Sequence, residues 1–136
     1  NMLKQVSDFI NITLNGEPKS TSHIYSYHCK FGFPQGYMNK AGKDLKTDYQ
    51  WQIKSQYHGK LIKGDVFMQV DLFFGTKRKQ DIDNFSKLVN DSLTGLVFED
   101  DSQIQSCLLN KYVVKKQDAR VEIKILKLNK SNLLSN

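Results

Sequence analysis

The chain has 136 residues, of which 39% are hydrophobic and 25% charged, and this composition fits one folded domain with its own core. Its net charge of +6 and pI near 9.3 favour a polyanionic partner. The sequence contains no apolar run of the roughly 20 residues that span a membrane, no signal peptide, no disulfide framework and no zinc motif. We therefore expect a cytoplasmic protein that does not bind a membrane and uses no small-molecule cofactor.

The N-terminal half of the chain predicts a strand, a long loop and a helix. Residues 9–14 alternate imperfectly and end at Gly16, which indicates a first strand. Residues 16–42 are rich in Gly, Pro, Ser and aromatics and predict a long loop. Its aromatic rings either stack on exposed bases or close over the sheet or a dimer interface. Residues 43–57 lack Gly and Pro and repeat apolar residues at helical spacing, so they predict a first helix that stops near Gly59.

The C-terminal half predicts three strands and a second helix. Val66–Phe74 is β-branched and aromatic, which indicates a buried strand. Residues 82–96 carry the clearest amphipathic stripe of the chain and predict the second helix. Two further strands, 104–114 and 119–128, are separated by a polar turn at residues 115–118 that suits a hairpin.

The order of these elements is β-α-β-α-β-β. It predicts a two-layer α+β fold, with a mixed sheet and both helices on one face of that sheet. We expect a single domain over residues 1–136, in which the Asn/Ser/Leu-rich tail at 129–136 frays.

Acidic residues are concentrated in one short stretch of an otherwise basic chain. Residues 81–101 contain six carboxylates and one lysine, a formal charge of −5, whereas the other 115 residues carry 19 basic against eight acidic side chains, or +11. Crowded carboxylates raise one another's pKa unless a cation, a basic partner or spreading relieves the repulsion. A basic surface around clustered acids is what a metal-dependent nuclease requires.

The predicted elements suggest how these acids could meet. Asp81 and Asp83 are two residues apart and point to the same side of an extended segment, while Lys87 lies one helical turn beyond Asp83. Gly95 can end the helix. Residues 99–101 could then return antiparallel to the level of Asp83, so that three or four carboxylates converge.

Ordinary structural roles compete with this interpretation. Asp81 or Asp83 alone would suit a helix N-cap, and residues 99–101 alone would suit a solvated turn. Lys87 could pair with Asp83 or Asp91 on an exposed helix face. The spacing of these residues leaves both interpretations open.

The chain carries a basic run at residues 77–79, the motif Asp-x-Asp-Asn-x-x-Lys at 81–87 and the segment Asp-Asp-x-Gln-Ile at 100–104. This compound pattern resembles the core of the RusA family of Holliday junction resolvases. That family pairs a basic run and an Asp-x-Asp-Asn-x-x-Lys motif with an Asp-Asp-x-Gln-hydrophobic segment about 20 residues later. The matching segments here are residues 77–87 and 98–104, and the resemblance extends over about 66–127. In the N-terminal part, only Pro18, Ser20 and Tyr25 echo the family's loop.

The resemblance implies roles for named residues. Asp81, Asp83 and Asp101 would be catalytic carboxylates that bind Mg²⁺, with Mn²⁺ as a substitute, and Lys87 would be the catalytic-site lysine. Asp100 adjoins the third acid, and the choice between Asp100 and Asp101 stays open. The implied partners are branched DNA and a second copy of the chain. The expected DNA contacts are Lys77, Arg78, Lys79 and Asn84.

Two other functions fit parts of the sequence. A non-catalytic nucleic-acid-binding module would explain the basic charge but not the acids. A divergent nuclease that acts on flaps or on RNA would keep the acids and change the substrate.

Overall fold

The computed structural model describes residues 9–20, 25–30, 33–77 and 82–128, without the side chains of residues 25–37 and Asp83. The predicted tail at 129–136 lies outside these ranges. The strands are β1 (Ile10–Asn15), β2 (Tyr25–Lys30), β3 (Phe33–Met38), β4 (Val66–Phe74), β5 (Ile104–Val113) and β6 (Arg120–Lys127), and the helices are α1 (Lys40–Gln56) and α2 (Asp83–Leu93).

Four of the strands form one mixed sheet in the order β1-β6-β4-β5. Strand β6 pairs antiparallel with both β1 and β4, whereas β5 pairs parallel with β4. The core takes alternate residues of β1, β4 and β6, together with one face of each helix. The predicted α+β fold, a mixed sheet with its helices on one face, is confirmed.

The predicted hairpin between the last two strands is wrong. Strand β6 lies between β1 and β4, and β5 lies on the far side of β4. The connection between them passes the end of β4, where Gly75 lies so close that a Cβ atom would stand 2.8 Å from the Lys116 Cα. Residues 116–118 form a 3₁₀ turn within this connection.

The predicted long loop at 16–42 contains two strands. Strands β2 and β3 pair antiparallel, with Tyr25 opposite Met38 and Lys30 opposite Phe33. Residues 25–30 alternate with period two, with Tyr25, Tyr27 and Cys29 separated by polar residues, so a signal for β2 was available in the sequence. The proposed roles of the loop aromatics fall on side chains that are not described, so they stay predictions.

Both predicted helices are present, with shifted ends. Helix α1 starts three residues early because Asn39 caps it by accepting a hydrogen bond from the Gly42 N–H at 2.9 Å. Helix α2 ends at Leu93, just before Gly95, which has a φ of +85°. Neither helix in the described part of the chain has the length and apolar character needed to cross a bilayer.

The core lies between the sheet and the two helices. Strand β4 contributes every second residue from Val66 to Phe74, and α2 contributes its apolar stripe. Each large buried side chain stabilises the fold by about 1.5–3 kcal/mol. The largest fully buried side chains include Phe74, Phe98, Ile12, Leu14, Ile53, Met68, Leu72, Leu88, Leu93, Ile123 and Ile125.

Helix α1 covers the edge of the sheet that β1 forms. The Gln56 side chain accepts from the Thr13 N–H at 2.8 Å and donates to the Thr13 carbonyl at 2.7 Å. One turn away, Gln52 accepts from the Asn15 N–H at 2.8 Å. These two side chains stand in for a neighbouring strand and satisfy backbone groups that would otherwise be open to another chain.

Candidate active site

The segment that carries Asp100 and Asp101 is held against the chain just before β4. Gln103 accepts from the Glu99 and Asp100 N–H groups at 2.8 and 2.9 Å. Its side-chain amide donates to the carbonyls of Ile62 and Gly64 at 2.9 and 2.7 Å. One glutamine thus anchors the second acidic segment at the start of β4.

The two neighbouring aspartates have different surroundings. Asp100 caps the 3₁₀ turn at 101–103 and accepts from both the backbone N–H and the hydroxyl of Ser102. The hydroxyl hydrogen bond is the main cause that lowers the pKa of Asp100 below its ordinary value. Asp101 opens the turn and is exposed. The carboxylate of Asp100 is therefore engaged within its own turn, whereas that of Asp101 faces solvent.

Glu99 forms an ion pair with Lys63. The Lys63 Nζ and a Glu99 carboxylate oxygen are 3.2 Å apart. The Lys63 side chain is mostly exposed and that of Glu99 is half exposed. Exposed pairs of this kind contribute at most about 1 kcal/mol. The pair is a second link between the acidic segment and the chain that precedes β4.

The other acidic segment lies at the start of α2. The Phe85 ring, in the first turn of α2, packs edge-on against Phe74 at the end of β4, with centroids 5.0 Å apart. The N-cap position falls on Ile82, whose side chain makes no capping hydrogen bond, so Asp83 is the first residue of the helix and not its N-cap. Only the backbone of Asp83 is described, and Asp81 lies outside the described residues.

The predicted DNA contacts and the predicted catalytic lysine lie on either side of the first acidic segment in the sequence. Lys77 is exposed, while Arg78 and Lys79 lie outside the described residues. Asn84 and Lys87 are exposed on the first half of α2. Asn84 and Lys87 therefore lie at the Asp83 end of α2.

The predicted convergence of the acids within one chain is wrong. Helix α2 leads from the end of β4 back to the level where β4 begins, because the Ile62 N–H donates to the Val97 carbonyl at 2.8 Å and Phe98 forms a bridge with Ile62. Strand β5 then starts beside Val66. Residues 99–101 stay at that end instead of returning to Asp83.

Asp83 and Asp101 are therefore far apart in one copy. The ten residue steps of α2 rise about 15 Å at 1.5 Å per residue. The eight steps of β4, which runs alongside, span about 26 Å. Asp83 and Asp101 thus lie at opposite ends of the helix, well beyond the reach of a shared ion. Among the described side chains, no three potential ligands come together to hold a metal.

Sequence reasoning missed Glu17. Its carboxylate accepts from the Gly75 N–H at 2.8 and 3.2 Å and so fixes the first residue after β4, where the chain leaves for Asp81 and Asp83. No local pattern signals this contact, because the two residues are 58 positions apart in the chain.

A second missed feature is a polar cluster on the open face of the sheet. Asp71 is 9% exposed and accepts from Asn110 at 2.8 Å and from Gln69 at 3.1 Å. Asp71 is the one charged residue in the β4 sequence, and that isolation was an available signal. Beside it, Arg120 lies over the Phe73 ring, 4.0 Å from its centroid.

The sequence matches the model of a known protein family. The sequence model of a family described as Endodeoxyribonuclease RusA matches residues 15–126, and this range includes both acidic segments and strands β4 and β5. A comparison with curated proteins gives no match.

Proposed function

The chain belongs to the RusA endodeoxyribonuclease family, and we propose that it is a Mg²⁺-dependent nuclease that resolves four-way DNA junctions by paired cuts. The observation that carries this proposal is the family match, because it extends over 15–126 and so includes every candidate catalytic residue. The net charge of +6 supports a nucleic-acid substrate.

The candidate ligands suit a hard cation by their chemistry. Mg²⁺ prefers carboxylate oxygens and keeps several waters, so two or three aspartates together with a substrate phosphate suffice. Asp81 and Asp83 are the proposed pair at the start of α2. Asp101 is the proposed third ligand in preference to Asp100, because the Asp100 carboxylate already accepts two hydrogen bonds from Ser102.

A single copy does not bring these ligands together, since α2 separates Asp83 from Asp101. We therefore propose a homodimer in which each site combines Asp81 and Asp83 of one copy with Asp101 of the other. Two such sites are related by a two-fold axis. A four-way junction has approximate two-fold symmetry, so paired sites match the two strands that must be cut.

The chain's own residues have distinct proposed tasks. A bound divalent ion would activate water and neutralise charge on the scissile phosphate. Lys87 would contact a non-bridging phosphate oxygen from the first half of α2. Lys77, Arg78, Lys79 and Asn84 would hold the DNA backbone beside the cut.

Cleavage of defined substrates tests this function. The protein would be incubated with Mg²⁺, with Mn²⁺ or with EDTA and labelled four-way junction, flap, duplex and single-stranded DNA. We expect symmetric paired nicks in the junction, which depend on the metal and are lost in Asp83→Asn and Asp101→Asn. Asp91→Asn is the matched control, because it removes an acid of the same stretch outside the proposed site.

Other outcomes would favour the competing functions. Junction binding without cleavage in any metal would favour a non-catalytic binding module. Preferred cutting of flaps or RNA would keep the nuclease and change its substrate.

A further inference from the structure

A cleft lies beside the second acidic segment, between the end of α1 and the end of β6. Its volume is about 760 Å³, and pockets that bind small ligands typically have roughly 300–1,000 Å³. The backbone here is fixed, because the Ile62 N–H donates to the Val97 carbonyl at 2.8 Å and Gln103 donates to the Ile62 carbonyl at 2.9 Å. The residues that line the cleft are Tyr57, Lys60, Leu61, Ile62, Lys63 and Lys127.

The lining of the cleft combines positive charge with an apolar surface. Three exposed lysines contribute ammonium groups, and no carboxylate lines the cleft among the described residues. Leu61 is 38% exposed and supplies the apolar part. The Tyr57 hydroxyl donates to the Lys60 carbonyl and so fixes the turn that carries Lys60. Three cations beside an apolar surface match a ligand that has both phosphate groups and the flat face of a base, as a DNA strand does.

The cleft adjoins the segment that contains Asp101. Lys63 forms its ion pair with Glu99 at 3.2 Å. Two residue steps separate Glu99 from Asp101, so their Cα atoms are at most about 7 Å apart. Successive phosphates of one DNA strand advance about 3.4 Å along the helix axis. A strand whose scissile phosphate lies at Asp101 therefore brings a nucleotide about two or three positions away beside Lys63.

We propose that this cleft binds one nucleotide of the cleaved DNA strand, about two or three positions from the cut. Lys60, Lys63 and Lys127 hold the phosphates on either side of this nucleotide, and Leu61 packs against its base. The inference rests on the proposed function, and it adds a DNA contact at the end of the sheet opposite to the start of α2.

Junction binding at several salt concentrations tests the three lysines. A Lys→Gln triple variant of the cleft is compared with a control triple of exposed α1 lysines, which are Lys40, Lys43 and Lys54. Each triple removes three positive charges and lowers the formal net charge from +6 to +3. Fluorescence anisotropy with a labelled four-way junction gives the Kd in EDTA, which prevents cutting.

The two triples should behave differently. We expect the cleft triple to bind at least about 10-fold more weakly than wild type and to lower the slope of log Kd against log salt by about two to three. The control triple should lose less than about 3-fold in affinity and keep its slope to within about one. Equal losses in the two triples, or a wild-type chain that does not bind the junction, would overturn the proposal.

Cross-linking locates the bound nucleotide. A photoreactive azidophenacyl group is attached to Leu61→Cys in a Cys29→Ser/Cys107→Ser background. Trp51→Cys is the matched control, because Trp51 is 68% exposed on α1 and does not line the cleft. We expect Leu61→Cys to cross-link within about three nucleotides of the cut and Trp51→Cys to give no such product. Cross-links spread along the junction arms, or none from position 61, would contradict the cleft.

The outcomes separate the cleft from the proposed function. A chain whose junction binding depends on the three lysines but which cuts no DNA would retain the cleft and reject the nuclease. A nuclease whose cleft triple binds and cuts junctions as well as the control triple would retain the function and reject the cleft.

Discussion

The ring of Phe85 lies edge-on against Phe74, with centroids 5.0 Å apart. This contact fixes the start of α2 at the end of β4. Since β5 runs parallel to β4, the start of β5 and its neighbour Asp101 lie at the opposite end of the sheet. The path of the backbone thus keeps the two acidic segments apart in one copy.

Gln103 is expected to position the second acidic segment. Gln103→Ala removes four hydrogen bonds to residues 62, 64, 99 and 100. We expect a loss of about 1–3 kcal/mol in unfolding free energy, because part of this network is solvated. Urea unfolding measures the loss, and Gln117→Ala is the control on an exposed turn. Equal midpoints for the two variants would contradict the role of Gln103.

Glu17 is expected to position the first acidic segment through Gly75. Glu17→Ala frees the Gly75 N–H, and we expect junction cleavage to slow about 10-fold or more because the following acids lose their fixed geometry. Junction affinity should change little. Glu17→Gln keeps an acceptor oxygen and should restore most of the rate. Cleavage by Glu17→Ala at the wild-type rate would show that Glu17 does not position the first acidic segment.

Tyr49 is expected to make stability depend on pH in the alkaline range. Burial raises the pKa of Tyr49 from 10.0 to about 12. The unfolded chain ionises first, so the stabilisation is complete below pH 10 and is lost as the pH rises towards 12, by about 2–3 kcal/mol. Urea unfolding between pH 8 and 11.5 should show a smaller decline for Tyr49→Phe than for wild type. Parallel declines would argue against this assignment.

Local sequence patterns predicted the elements of the sheet and its helices well. The apolar run of β4 has the predicted ends, Val66 and Phe74, and the stripe of α2 faces the core as expected. Both signals reside in consecutive residues. The β2–β3 hairpin was missed although residues 25–30 alternate, because the Gly-, Pro- and Ser-rich composition of residues 16–42 indicated a loop.

Local sequence patterns did not predict which strands pair with each other. The polar turn at 115–118 suggested a hairpin, yet β6 pairs with β1 and β4 instead. A rule of chain topology would have helped more. A strand, a helix and a second strand, as in β4-α2-β5, form a parallel crossover. That crossover separates the start of the helix from the start of the second strand, and so separates Asp83 from Asp101.

The most direct test of the two-copy site is a heterodimer of Asp83→Asn and Asp101→Asn subunits, purified through two different affinity tags. If each site takes Asp83 from one copy and Asp101 from the other, this heterodimer has one doubly substituted site and one intact site. It should then nick one strand of a four-way junction at about the wild-type rate per site, whereas each mutant homodimer should be at least about 100-fold slower. A heterodimer as inactive as both homodimers, or a fully active Asp101→Asn homodimer, would contradict the shared site.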